Sequence, residues 1–265
     1  MLRPSAYRYP NERLILALTF LLVFLVIVLS ATATLCLSVV FIGLFVIMAY
    51  NSSLNHHRSL VLAAQPVTPQ RTPGLNALVA ECIARLRPGS LEVFIAPSRT
   101  LNAYTFGLSS PKVVVLYSAL LDVMDEDELR FIIGHEMGHV ALGHTFLNSL
   151  VGGMAGIPSN SLSSALLTMA FLWWNRTCEL SADRAGLLAC RSPEKAITAL
   201  IKLVAGPSGR TQAGLQAAYQ RIDAQDDTWL GNLTETLGSH PMLIRRINAL
   251  RRYAASGQYR RLVYL

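Results

Sequence analysis

The chain has 265 residues, of which 52% are hydrophobic and only 15% are charged, and its formal net charge is +7. Typical soluble domains carry about 25% charged residues, so this composition favours one domain with added membrane segments over an ordinary soluble protein. The lysines and arginines are scattered and form no basic stripe interleaved with aromatic residues, which argues against nucleic-acid binding. Basic flanks beside membrane segments explain the positive charge better.

Residues 1–50 are predicted to form a short basic segment followed by a transmembrane helical hairpin. Residues 14–50 carry no charge, and one helix of that length would be about 55 Å long, well beyond a hydrocarbon core of about 30 Å. Two short spans joined near residues 30–34 fit better. Arginines precede and follow the hairpin, so the positive-inside rule places both of its ends, and the domain that follows, in the cytoplasm.

Two alternatives stay open for this segment. A single tilted span would reverse the side of the membrane on which the following domain lies. Residues 31–33 also resemble a signal-peptidase site, although cleavage there would leave a second apolar segment at the new terminus.

Residues 51–73 are interpreted as a polar linker because three prolines interrupt them. His56 and His57 in this linker are expected to be solvated. An amphipathic helix is predicted over residues 75–86. Strands are predicted over residues 91–96, 102–106 and 112–117, and together they would form a small antiparallel sheet. An exposed edge of such a sheet can bind an extended peptide by strand addition.

The stretch His135-Glu136-Met137-Gly138-His139 has the pattern H-E-x-x-H. Asp125 and Glu128 form a capping-box pattern that predicts a helix start before it. His135 and His139 then share one helix face and can bind one metal ion, with Glu136 beside them to take a proton from water. Burying these side chains is unfavourable without a partner, which a zinc ion would supply. A chance match to a short pattern is the alternative.

Glu179 is the best candidate for a third ligand, because catalytic zinc sites commonly combine two histidines with a glutamate. Glu179 and Asp183 are four residues apart in an apolar helical stretch, so they share a helix face. A glutamate in such surroundings requires a cation. An ion pair with Arg176 or Arg184 is the alternative to zinc.

Residues 146–174 are uncharged but interrupted by glycine and proline. Two interpretations stay open for this stretch, a pair of short membrane spans and a membrane-facing helical hairpin. Trp173 and Trp174 would suit a membrane interface in either case. His144, which comes just before the stretch, lies nine residues beyond His135 and so on the opposite face of a continued helix. It is therefore expected to be a surface or capping residue and not a ligand.

The C-terminal third is predicted to be helical over residues 193–204, 211–221 and 242–253. Arg246 in the last of these helices is a candidate partner for Asp183. His240 precedes a proline, which favours an extended backbone. The four cysteines show no C-x-x-C spacing and are expected to be free thiols, and Cys178 is not expected to be a ligand.

Four stretches resemble, in the same order, those of the HtpX-type membrane zinc metalloproteases, which are relatives of the CaaX prenyl endopeptidases. They are Asn102-Ala103-Tyr104-Thr105-Phe106-Gly107, the H-E-x-x-H pentad, Glu179 to Asp183, and Ser239-His240-Pro241 with Arg246-Ile247 and Leu250. The resemblance covers residues 75–252. It implies that Asn102, Ala103 and Tyr104 lie on a substrate-binding edge strand. It also implies that His240 enters the active site and stabilises the oxyanion.

These features predict an α+β protein, in which a mostly helical, zincin-like metalloprotease domain at 74–265 carries a small antiparallel sheet and follows an N-terminal transmembrane hairpin. The predicted activity is a zinc-dependent endopeptidase with one Zn²⁺ per chain. The roles assigned are metal ligands for His135, His139 and Glu179, general base for Glu136, oxyanion stabilisation for His240, and orientation of a ligand for Asp183.

The expected partners are polypeptide substrates and the lipid bilayer, and nucleic acid is excluded. The resemblance implies quality control of membrane or misfolded proteins at a bacterial plasma membrane, with the catalytic domain in the cytoplasm. Two alternatives stay open, a non-catalytic zinc-stabilised membrane adaptor and a prenyl-protein endopeptidase, although the latter class has more membrane spans. The sequence predicts neither the natural substrate nor the oligomeric state.

Overall fold

The computed structural model describes residues 2–33, 37–152, 162–223 and 243–264. Within these ranges the chain is mostly helical and carries one small sheet, which confirms the predicted α+β class. The helices are α1 (Glu12–Ala33), α2 (Leu37–Ala63), α3 (Pro73–Leu86), α4 (Ser118–Val123), α5 (Glu126–Leu142), α6 (His144–Gly152), α7 (Leu162–Cys190), α8 (Pro193–Ala205), α9 (Gln212–Asp223), α10 (Leu243–Ala255) and α11 (Gly257–Val263). The strands are β1 (Gln65–Pro66), β2 (Leu91–Ala96), β3 (Ala103–Phe106) and β4 (Lys112–Tyr117).

The sheet has the strand order β1-β2-β4-β3. It is mixed, so the predicted antiparallel arrangement is wrong for one pair: β2 and β4 are parallel, whereas β3 pairs antiparallel with β4. The reason is the path of the chain, because the loop after β2 carries it past the position of β4 to β3. The chain then returns as β4 between the two earlier strands. In the described part of the chain β3 pairs only with β4, so it lies at an edge of the sheet.

The predicted hairpin corresponds to two separate helices, α1 and α2, and residues 34–36 between them lie outside the described ranges. Among the described residues, one helical stretch is long and apolar enough to cross a membrane, Glu12–Leu29 of α1. The interpretation of residues 51–73 as a linker is wrong for residues 51–63, which continue α2. Those residues contain no glycine or proline, so nothing in them ends the helix before the strand that begins at Gln65.

The end of α2 packs against the sheet, and this brings both histidines of the expected linker into contact with strand residues. His56 Nε2 lies 3.1 Å from the hydroxyl oxygen of Tyr104, and His57 Nε2 lies 3.2 Å from a carboxylate oxygen of Glu92. The expectation that both rings are only solvated is therefore wrong.

The N-terminal residues belong to the same core as the rest of the chain. Leu2 and Tyr7 are buried in the main hydrophobic cluster, and the amide side chain of Gln258 donates to the carbonyl oxygen of Ala6. The Arg184 guanidinium lies between two aromatic rings, 4.9 Å from the ring centre of Tyr9 and 4.5 Å from that of Tyr253. The division at 1–50, 51–73 and 74–265 stays a prediction, but its first segment contributes side chains to the core of the third.

Helices α5 and α7 form the centre of the domain because small residues let them approach closely. A Cβ atom on Gly138 would lie 2.6 Å from Cβ of Ala185, and one on Gly134 would lie 2.4 Å from Cβ of Ala189. Both distances are shorter than carbon atoms tolerate, so glycine is required at both positions for this spacing. The two glycines are four residues apart and therefore lie on the face of α5 that contacts α7.

The predicted membrane-associated hairpin at 146–174 includes residues 153–161, which lie outside the described ranges, and it stays a prediction. The described part corrects one detail. Trp173 is half-exposed, but Trp174 is buried in a cluster with Ile15 and Cys178, where it faces α1 and does not lie at an exposed interface. Cys82, Cys178 and Cys190 are free thiols, as expected.

Candidate metal centre

Three side chains of α5 and α7 converge at the centre of the domain. His135 and His139 lie one turn apart on α5, and their Nε2 atoms are 3.2 Å apart. The carboxylate of Glu179 on α7 faces both rings, with Oε2 3.6 Å from His135 Nε2 and Oε1 3.4 Å from His139 Nε2. All three side chains are buried. The structure therefore brings together the three residues that the sequence predicts as metal ligands.

The spacing of these donor atoms fits a divalent metal ion. Zinc binds imidazole nitrogen at about 2.0–2.1 Å, which places two ligand atoms of a tetrahedral site about 3.3 Å apart. The three observed separations are 3.2, 3.4 and 3.6 Å. Two imidazoles and one carboxylate also form a donor set that zinc prefers in catalytic sites. In the described part of the chain, this is the group of buried histidine and acidic side chains with the geometry to hold a metal.

A buried ion pair supports the carboxylates of α7. Arg246 on α10 donates through Nε to Oδ2 of Asp183 at 2.8 Å and through Nη2 to Oδ1 at 2.6 Å. Its Nη1 lies 3.2 Å from Oε2 of Glu179. Burial alone would raise the pKa of Glu179, but Arg246 and the two imidazoles hold it well below its usual range. The proposed pairing of Arg246 with Asp183 is confirmed.

His135 has a direct carboxylate partner on the side away from the donor cluster. Its Nδ1 lies 3.0 Å from Oδ1 of Asp183. Burial alone would lower the pKa of His135, but Asp183 and Glu179 raise it. A carboxylate in this position fixes the tautomer of a ligating histidine and makes its other nitrogen more basic.

One of the two alternative partners considered for Glu179, Arg184, makes its contacts elsewhere. The guanidinium beside Glu179 belongs to Arg246, whereas Arg184 donates to the carbonyl oxygen of Arg8 at 3.1 Å and stacks between aromatic rings. The distinction matters because Arg246 lies 67 positions after Glu179 in the sequence, as the two residue numbers show. Helical spacing cannot reveal such a contact.

The expectation of a surface position for His144 is wrong, because this residue is buried. The capping alternative stays a prediction. Gly143 adopts φ 83° and ends α5, and the chain turns so that the ring of His144 comes beneath His139. The Nδ1 atoms of His139 and His144 are 3.1 Å apart, and Nε2 of His144 lies 3.1 Å from Oε1 of Glu12. Burial lowers the pKa of His144 to about 4. It is not one of the three side chains of the donor cluster, and that it is not a ligand stays a prediction.

A cleft of about 640 Å³ opens onto the cluster. Glu136 lines it together with His135, His139 and Glu179, and burial raises the pKa of the Glu136 carboxyl. Asn102, Ala103 and Tyr104, where β3 begins, also line it. The predicted substrate strand and the predicted base therefore face the same cleft. His240 lies outside the described residues.

Sequence reasoning missed three contributors to the site. Gly134 and Gly138 set the approach of α7, and their spacing of four residues was a usable signal for a close helix contact. Gly143 was a usable signal for a helix end, which removes the basis for placing His144 on the opposite face. Glu12 gave a weaker signal: it lies four residues after Arg8, near the start of an uncharged run, and was counted only as part of a basic segment.

Comparison with known proteins gives a consistent family assignment. The model of "Peptidase family M48" matches residues 69–254. The chain is 31% identical over 237 residues to "Protease HtpX" of Xanthomonas axonopodis pv. citri, covering 74% of this chain and 78% of that protein. It is 25% identical over 224 residues to "Protease HtpX homolog" of Paenarthrobacter aurescens, covering 73% and 76%.

Two further similarities cover less of the other protein. The chain is 26% identical over 211 residues to "Plastoglobule-localized metallopeptidase 48, chloroplastic" of Arabidopsis thaliana, covering 74% of this chain but only 61% of that relative's length. Among solved structures, the crystal structure of S. mikatae Ste24p matches with 19% identity and a TM-score of 0.46, covering 90% of this chain and 63% of that one.

Proposed function

The chain belongs to peptidase family M48, and on that premise we propose that it is a membrane-anchored zinc endopeptidase. The observation that carries this proposal is the convergence of His135, His139 and Glu179 beside Glu136 in a cleft below an edge strand. A cluster that only stabilised the fold would not require a carboxylate such as Glu136 facing the cleft. The edge strand β3, whose first residues line the cleft, supports a polypeptide as the substrate.

The proposed ligands are His135, His139 and Glu179, and all three line the cleft, so that a zinc ion held by them would be accessible to water and substrate. A zinc ion bound there would supply Lewis acidity to the scissile carbonyl and would lower the pKa of a bound water. Glu136 acts as the general base that takes the proton from water, and it later passes this proton to the leaving amine. Because burial raises its pKa, this carboxylate is a stronger base than an exposed glutamate and accepts the proton of water more readily.

The remaining assigned residues orient the substrate and the ligands. Asp183 holds His135 in the tautomer that presents Nε2 to the cluster, and Arg246 keeps Asp183 and Glu179 ionised. The edge of β3, from Asn102 to Tyr104, binds the substrate backbone in extended form. His240 donates a hydrogen bond to the oxyanion of the tetrahedral intermediate.

The proposed membrane anchor is the N-terminal helical pair, in which α1 supplies an apolar stretch of sufficient length. Arginines precede α1 and follow the uncharged run, which supports a cytoplasmic position for the catalytic domain at a bacterial plasma membrane. An endopeptidase at this position would suit cleavage of membrane or misfolded proteins in quality control, because strand addition binds the backbone of the substrate and not a particular side chain. The similarity to "Protease HtpX" supports proteolytic activity.

Zinc content and proteolysis of the full chain in detergent test the proposal, with Glu136→Gln as the test variant. The wild type is expected to bind about one zinc per chain and to cleave casein or an unfolded membrane protein. Glu136→Gln should keep its zinc and lose at least about 100-fold in cleavage rate, because the base is gone. Glu126→Gln is the matched control on the exposed first turn of the same helix and should keep both properties. Undiminished cleavage by Glu136→Gln would contradict the mechanism, and a wild type that holds no zinc would contradict the metal centre.

A further inference from the structure

Glu12 is an acidic residue in the first turn of α1, at the edge of the proposed membrane helix, yet its side chain is 1% exposed. It faces His144, which in turn contacts His139. We infer that Glu12 and His144 are positioning residues for the metal ligand His139, so that the N-terminal helix is part of the metal centre. The inference rests on the proposed metal centre and adds to it two residues, one of them outside the family match at 69–254.

The hydrogen-bond directions along this chain of groups follow from the geometry. His139 directs Nε2 into the donor cluster and Nδ1 toward His144. A histidine that ligates through Nε2 carries its proton on Nδ1, so His139 donates to Nδ1 of His144. That nitrogen must then be unprotonated, which places the proton of His144 on Nε2. His144 Nε2 therefore donates to Oε1 of Glu12, and every donor in the series meets an acceptor.

Two further side chains hold Glu12, the carboxylate at the end of this series. Arg8 forms an ion pair with Glu12 one turn earlier, and the hydroxyl group of Ser181 on α7 donates to the other carboxylate oxygen of Glu12. The same hydroxyl oxygen accepts a hydrogen bond from the backbone nitrogen of Tyr9 at 2.8 Å. Glu12 is thus an ionised and oriented carboxylate, as is required of a group that fixes a histidine tautomer.

A role limited to attaching α1 would not require this arrangement. The attachment has its own contacts farther along the helix, where the hydroxyl group of Thr19 is buried and donates to the carbonyl oxygens of Ile15 at 2.9 Å and of Ala170 on α7 at 3.4 Å. Glu12, in contrast, directs its charge at the histidine next to a proposed ligand. This difference supplies a matched pair of variants on one helix, Glu12→Gln and Thr19→Val.

The decisive measurement is the zinc affinity of the full chain in detergent, determined by competition with a chelator. His144→Phe keeps a ring but removes the acceptor for His139, and should weaken zinc binding about 10–100-fold. Glu12→Gln should weaken it by about tenfold, because an amide orients His144 less strongly than a carboxylate. Thr19→Val should leave the affinity unchanged.

The double variant Glu12→Gln/His144→Phe separates a positioning role from a structural one. If Glu12 acts through His144, the double variant binds zinc as weakly as His144→Phe alone, since the intermediary is already lost. If Glu12 only attaches the helix, the two losses multiply, and the inference is overturned. Cobalt bound in place of zinc gives a second readout, because its visible absorption spectrum should change in His144→Phe and Glu12→Gln but not in Thr19→Val.

His144→Asn keeps the test decisive if His144→Phe does not fold. The shorter amide side chain retains an acceptor for His139 and loses contact with Glu12. The variant should therefore bind zinc with intermediate affinity, and adding Glu12→Gln to it should not change that affinity. Unchanged zinc affinity in His144→Phe or His144→Asn would refute the positioning role alone. A wild type that binds no zinc would instead refute the proposed function.

Discussion

The two histidines of the proposed metal centre are supported in different ways. His135 contacts Asp183 directly, and behind Asp183 lies the buried guanidinium of Arg246. His139 contacts a neutral ring, His144, and the charge behind it belongs to Glu12 of the N-terminal helix. The first support lies entirely within the family match at 69–254, whereas the second extends outside it. The matched domain therefore contains the proposed ligands but not all the groups that orient them.

Removal of the ligand shared by both sides should have the largest effect. Glu179→Ala deletes the carboxylate that faces both His135 and His139. Loss of a group that only orients a ligand lowers zinc affinity by up to about 100-fold. Loss of Glu179, a ligand itself, should lower it further, and the purified protein should hold almost no zinc. Elemental analysis of the detergent-purified chain measures this. Glu194→Ala, on the exposed first turn of α8, is the control, and full zinc content in Glu179→Ala would disprove its role as a ligand.

Asp183→Asn should remove the negative charge that supports His135. The buried Arg246 loses its main counter-charge, so the free energy of unfolding of the metal-free protein should fall by about 3–5 kcal/mol. Zinc affinity should also fall about 10–100-fold because His135 loses its carboxylate partner. Thermal unfolding and chelator competition measure the two effects. The same pair of measurements on His144→Phe should show mainly the loss of zinc affinity, and equal stability losses in both variants would remove the contrast between the two sides.

Gly138→Ala should affect both sides together, through the distance between α5 and α7. The added methyl group would lie 2.6 Å from Cβ of Ala185, so the helices must separate. Overpacking of this kind costs about 1–3 kcal/mol of unfolding free energy, and it would also move Glu179 away from the histidines. The second change Ala185→Gly removes the opposing methyl group and should restore part of both stability and zinc affinity. Failure of this rescue would show that Gly138 is required for another reason.

Arg8→Gln, which removes the ion-pair partner of Glu12, should have the smallest effect of these variants. Arg8 pairs with Glu12, but it stays partly exposed and is one contact farther from the ligand than His144. We expect a stability loss of about 1 kcal/mol, as for a partly exposed ion pair, and a loss of zinc affinity well below tenfold. Chelator competition with the wild type in parallel checks this, and a loss as large as that of His144→Phe would mean that Arg8 acts on the site by another route.

Local patterns in the sequence predicted the centre of the site. The capping box at Asp125 and Glu128 is present, and the helix that it starts places His135 and His139 on one face. The i, i+4 spacing of Glu179 and Asp183 likewise places both carboxylates on the face of α7 that meets α5. These predictions succeeded because helical periodicity is a local property that adjacent residues determine.

Contacts between distant parts of the chain were harder to predict from the sequence. The position of β4 between β2 and β3 depends on the path of a loop, and no pattern within the strands specifies it. The burial of His144 against Glu12 depends on the packing of α1 beside α7. Hydropathy identifies α1 only as a membrane segment and does not predict that packing. Arg246 was an exception, because an arginine near a buried carboxylate could be proposed from the unpaired charge of Asp183.

The positions of Glu12 and Arg246 in the chain have a consequence for the order of biosynthesis. Glu12 is made before the H-E-x-x-H pentad and Arg246 long after it, and both side chains complete the surroundings of the same three donor atoms. A nascent chain that has just exposed its pentad therefore has His135, Glu136 and His139 but lacks both the third proposed ligand, Glu179, and the supporting Arg246. The surroundings of the proposed metal centre are therefore complete only once both the first helix and α10 have packed beside α5 and α7.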